Sequence, residues 1–136
     1  MERINHLAVF VAAIVFFLFG FVWYTLLFGK LWAQLSGVPA GSMTPNIAVL
    51  IGTFVIGWFI AYICAIALGK AADNTAKDGL QFGLFMSIGL VASTMLIGAL
   101  NSAQPLALWA INAGYVVVGI TIISAIVAAW RSRTPA

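Results

Sequence analysis

Charge is what this 136-residue chain has least of, with six Lys or Arg and three Asp or Glu. None of them falls within four apolar runs, Leu7 to Phe28, Ile47 to Leu68, Leu80 to Leu100 and Leu106 to Trp130. With no carboxylate inside a run, the chain lacks the intramembrane acid on which small proton-coupled exporters depend. One His and one Cys cannot make a metal cluster with so few acids beside them. No Ser–His or Cys–His arrangement lies within reach for nucleophilic catalysis. The chain therefore reads as a non-enzyme with no metal and no cofactor. Cys64 is alone, so an intrachain disulfide is excluded and the redox compartment stays unread. It reads as a small packing residue.

What is present is hydrophobic: 64% of the residues, against 7% charged, where globular chains average about half and about a quarter. A hydrocarbon core of about 30 Å needs roughly 20 apolar residues at helical rise, and each run is that long. A bilayer leaves no water for open backbone, so the runs must be helices. A chain this small has too little interior to hide four such helices in a soluble fold. The prediction is an all-α polytopic membrane protein, one domain over 1–136, with four transmembrane helices in an antiparallel bundle. The first run exceeds the 7 to 15 apolar residues of a signal peptide and is expected to be an uncleaved span.

The basic residues set an orientation. Arg3, Lys70, Lys77, Arg131 and Arg133 fall on one side of the four spans and Lys30 alone on the other. That asymmetry predicts both termini in the cytoplasm and the protein in the inner membrane, with the lipid bilayer as its first partner. Nothing resembles a basic patch with interleaved aromatics, so no nucleic-acid role is expected.

Trp23, Tyr24 and Phe28 close the first run, and such rings prefer the headgroup level. A short amphipathic helix over about 30–36, with Lys30 and Trp32, should lie along the outer interface. Thr44-Pro45 suits the start of the second span. Thr75 with Asp78 matches a capping box for the third. Trp109 and Trp130 mark the ends of the fourth. Gly79, Gly83 and Ser87 recur at four-residue spacing, with Gly114 facing them from the fourth span. Small residues let helix backbones approach where lipid removes the apolar driving force. One bundle is expected to leave some of these faces free, so a homo-oligomer or a complex with other membrane subunits is predicted through them.

Among intramembrane polar residues Asn112 is the most informative. It lies two turns past Pro105, roughly 10 Å into the membrane, where an amide must find protein partners. Trp58 and Tyr62 share a face of the second span and either pack or line a cavity. His6 reads as an interfacial residue; a haem or pigment would need a second ligand. Trp23, Tyr24, Lys30, Trp32, Asn112 and Tyr115 form the candidate binding set. The segment around Trp32 is expected to fold back toward Asn112; the competing reading is an ordinary aromatic belt.

Several short motifs carry a resemblance. Gly20-x-x-Trp23-Tyr24, Phe28-Gly29-Lys30-x-Trp32, Asp78-Gly79 with Gly83, Ile111-Asn112-Ala113-Gly114-Tyr115 and the closing Trp130 are together similar to the bacterial DUF1761 membrane proteins. The likeness runs over nearly the whole chain in the family's order. Thr25-Leu26 stands where members often have Ser-Pro, which removes any proline kink there, and a Trp common in the third helix is missing. The resemblance implies four helices and no particular activity. The function expected is a non-catalytic accessory or packing subunit; the alternative is a passive channel or carrier for a small neutral solute.

Overall fold

The computed structural model describes residues 4–39, 46–70 and 75–131. Helix α1 spans His6–Phe21 and runs directly into a π-helical turn, Val22–Leu27. The short helix α2 covers Gly29–Ser36, and α3 covers Ile47–Gly69. The third span begins as α4, Ala76–Met86, widens into a second π-helical turn at Ser87–Ala92, and ends as α5, Ser93–Asn101. Helix α6 is Leu106–Arg131. Four of these continuous stretches are long and apolar enough to cross a membrane. The molecule is an all-α, antiparallel four-helix bundle.

Local chemistry sets the helix starts. Asn5 Oδ1 accepts from the amides of Leu7 and Ala8 at 3.1 and 3.2 Å. Asn46 Oδ1 accepts from Ala48 N at 2.9 Å, so Asn46 caps α3; Thr44 and Pro45 lie outside the described residues, as do Arg3 and Arg133. Thr75 and Asp78 form a reciprocal capping box, Thr75 N to Asp78 Oδ2 at 2.7 Å and Asp78 N to Thr75 Oγ1 at 3.3 Å. Each such cap is worth about 1 kcal/mol, which accounts for Asp78 without a further role.

The first span turns without proline. Phe28 N reaches back to Trp23 O at 2.9 Å, closing the widened turn, while the Thr25 hydroxyl donates to Phe21 O. A Cβ at Gly29 would stand 2.7 Å from the carbonyl oxygen of Tyr24. Only glycine lets the chain double back there, and α2 begins at once. A π-turn is one of the few devices that redirect a helix in lipid without orphaning its backbone.

Helix α6 is the axis of the bundle, and small residues let its neighbours close on it. A methyl on Gly79 would run into the Ser124 carbonyl, and one on Gly83 would stand 2.6 Å from Thr121 Cα. The Phe16 ring is wedged between Gly57 and Gly119, with a Cβ at Gly57 only 2.8 Å from its edge. Ser87 is fully buried and donates to Gly83 O at 2.5 Å. Gly114 faces the Trp23 indole, 3.1 Å from a notional Cβ. Gly79, Gly83, Ser87 and Gly114 are thus all in contact within the chain, whereas Gly52, Gly89 and Gly98 have nothing within 4 Å. Helix α6 meets α4 on one side and α1 on the other through these small residues.

The close contacts of α3 and of the third span lie mostly away from α2. In α3 every buried residue lies from Gly57 onward, and none falls within Ile47 to Ile56. In the third span α4 packs on α6, while α5 buries only Ala99. Helices α3 and α4 close on α1 and α6 at the end where α3 and α6 finish and α1 and α4 begin. Toward α2 they diverge.

Candidate functional site

The diverging end is held by one amide. Trp32 of α2 donates its indole N–H to Asn112 Oδ1 at 3.2 Å, and Tyr24 donates its hydroxyl to the same oxygen at 2.8 Å. An indole can only donate, so the Asn112 atom between them must be the carbonyl oxygen. Tyr24 is then also a donor, leaving its own lone pairs unused by this bond. Trp23 adds a third tie across the spans, Nε1 to Ile111 O at 3.0 Å. Tyr115 stacks on Phe16 and Phe19 at 5.1 and 5.8 Å and meets Tyr24 edge-on at 5.1 Å.

The structure thus brings Trp23, Tyr24, Trp32, Asn112 and Tyr115 into one cluster, with α2 folded back over α6. Lys30 does not join them. It stands exposed on α2 with no hydrogen bond or ion pair among the described residues.

Beside the cluster lies a cavity of about 560 Å³ between α1, α2 and the splayed start of α3. That is within the usual range for a ligand site. Phe17, Gly20, Phe21, Tyr24, Trp32 and Tyr115 form one wall. Asn46, Val49, Leu50 and Thr53 form the other. No charged residue lines it among the described residues. The Thr25 and Thr53 hydroxyls donate to carbonyls one turn back in their own helices. Tyr115 lines the cavity too, and its hydroxyl, packed against Gly20, has no hydrogen-bond partner among the described residues.

Sequence reasoning missed the α3 wall. Asn46, Val49, Leu50 and Thr53 carry no motif, and the gap they border depends on how far α3 leans from α1. The only available signal was the row of small residues at Gly57, Ala61, Cys64 and Ala65, one face of the second half of α3.

The remaining candidates lie elsewhere. Tyr62 shares a 2.6 Å hydrogen bond with His6 Nδ1, which satisfies the phenol and ties α1 to α3 at the terminal end. Trp58 stacks on Tyr62 at 6.4 Å and meets Phe10 edge-on at 5.7 Å. These rings form a packed aromatic face between the two helices. Cys64 is buried in the core. Trp109 donates to Ala92 O at 3.1 Å, bridging α6 to the π-turn of the third span.

The sequence model of a family described as a protein of unknown function, DUF1761, matches residues 7–128. The chain belongs to that family. No curated protein and no solved structure matches it. In this DUF1761 protein the matched stretch includes every residue of the Asn112 cluster and both walls of the cavity.

Proposed function

We propose that this DUF1761 protein is a non-catalytic accessory protein of the inner membrane that works by binding, holding a small uncharged molecule in the cavity between α1 and α3. The observation that carries this reading is the charge-free cavity beside the Asn112 cluster, with an uncommitted Tyr115 hydroxyl on its wall. A passive channel has less support. At the terminal end, glycine contacts bring the helices to backbone distance. Two hydroxyls there turn to their own helices, Ser87 to Gly83 O and Thr121 to Val117 O at 2.5 and 2.6 Å, while the Ser124 hydroxyl is sealed in the core without a hydrogen-bond partner among the described residues. A polar path through the bundle would need those groups free and reachable.

Native mass spectrometry of the protein in mild detergent tests the binding reading. Wild type should carry a defined non-protein mass, and Thr53→Trp, which fills the cavity from the α3 wall, should lose it. Identical adducts, or none, in both would end the proposal.

The orientation proposed with it places both termini in the cytoplasm and the cavity in the outer half of the bilayer. Lys70, Lys77 and Arg131 against Lys30 remain the warrant among the described residues. A reporter active only outside the cytoplasm, fused after Ala136, should be silent. Strong activity would invert the model.

A further inference from the structure

The cavity has a distinctive inventory of hydrogen-bonding groups. Four of its polar residues already commit their protons inside the protein: Tyr24 and Trp32 to Asn112, Thr25 to Phe21, and Thr53 to Val49. Each of the three hydroxyls keeps acceptor capacity, since a hydroxyl has two lone pairs. Tyr115 is the converse, a hydroxyl proton with no acceptor among the described residues. Its ring meets that of Tyr24 edge-on at 5.1 Å, and both phenols belong to residues that line the same space. Around them the walls are Phe17, Phe21, Val49 and Leu50. The α3 wall is half open to the surroundings, because Val49 and Leu50 are exposed as well as lining.

From this we infer that the cavity takes an uncharged amphiphile whose polar end is a hydroxyl, entering sideways from the bilayer between α1 and the start of α3. The inference rests on the binding reading above and narrows its ligand. One ligand hydroxyl accepts from Tyr115 and donates to the Tyr24 oxygen, completing both. The hydrocarbon tail lies against the apolar walls and leaves through the gap toward lipid. A charged head is excluded by the same inventory. With no Lys, Arg, Asp or Glu on the wall, an ion drawn to this depth would be desolvated with nothing to replace its water. A water-soluble solute is excluded by the walls, which offer it few partners.

Photolabelling of the full chain in mild detergent tests this, using a monoacylglycerol with a diazirine in its acyl chain and mass mapping of the labelled peptides. Label should fall on residues 17–25 and 46–53. Oleyl alcohol should compete for it. Oleate at alkaline pH, with the same tail and an anionic head, should compete at least about tenfold more weakly. Tyr115→Phe, which keeps the ring and its stacking, should weaken labelling by roughly two- to tenfold, the range of one lost hydrogen bond. Label in both segments with equal competition by alcohol and oleate would overturn the head-group inference and leave the cavity reading standing. Absence of label from both segments in wild type would overturn both. The wild-type comparison of the two competitors needs no variant, so a misfolded Tyr115→Phe cannot obscure the result.

Discussion

Gly83→Leu should abolish recovery of folded protein in mild detergent, whereas Gly89→Leu, six residues along the same span, should leave it unchanged. The difference lies in what each side chain would meet. At Gly83 even a methyl stands 2.6 Å from Thr121 Cα and 3.1 Å from Ile120 O, both backbone atoms of α6. Backbone cannot rotate aside as a side chain can, so the third span must separate from α6. Overpacking a flexible core costs about 1–3 kcal/mol; here the whole helix pair is displaced. Around Gly89 nothing lies within 4 Å, and its side faces out of the bundle. Thermal melting followed by circular dichroism separates the two. Equal melting of both variants would mean that α4 does not seat on α6 as described.

The second large effect is expected at Asn112. In Asn112→Leu, Tyr24 and Trp32 both lose their acceptor, and α2 loses its polar tie to α6. Interhelical hydrogen bonds in membrane proteins are worth about 0.6 to 2 kcal/mol. Release of α2 should therefore become roughly three- to thirtyfold more frequent. Lys30 makes the release measurable. It is exposed on α2 and is the only Lys or Arg between Arg3 and Lys70. Trypsin cleavage after Lys30 should accelerate by about that factor. Tyr24→Phe, which removes one of the two donors and leaves the Trp32 bond, should accelerate it less. Wild-type cleavage rates in Asn112→Leu would show that α2 is held by its apolar contacts alone.

The class and the span count were legible in the residues because they depend on one-dimensional quantities. Four charge-free runs of bilayer length leave a single backbone solution, the helix. Capping is equally local: Thr75 with Asp78 predicts its own hydrogen bonds, and the structure contains them. The amphipathic α2 and its turn toward Asn112 were also visible, since a deep amide and nearby indole and phenol tips all need partners.

What only the tertiary structure decided was which faces meet. In water a helix announces its inner side by an apolar stripe. In lipid the outside is as apolar as the core, so runs such as Ile47 to Leu68 carry no such stripe. Gly79 and Gly83 of the third span therefore read as spare surface, although α6 consumes them. The acceptor shared by Tyr24 and Trp32 depends on the rotation of α6 about its axis, which Gly79 and Gly83 set through backbone contacts and Gly114 through the Trp23 indole. The cavity arises from a lean, because α3 closes on α1 only where Gly57 and the small residues beyond it admit the Phe16 ring. Helix length and composition are properties of the chain, but that gap is a property of two helices together.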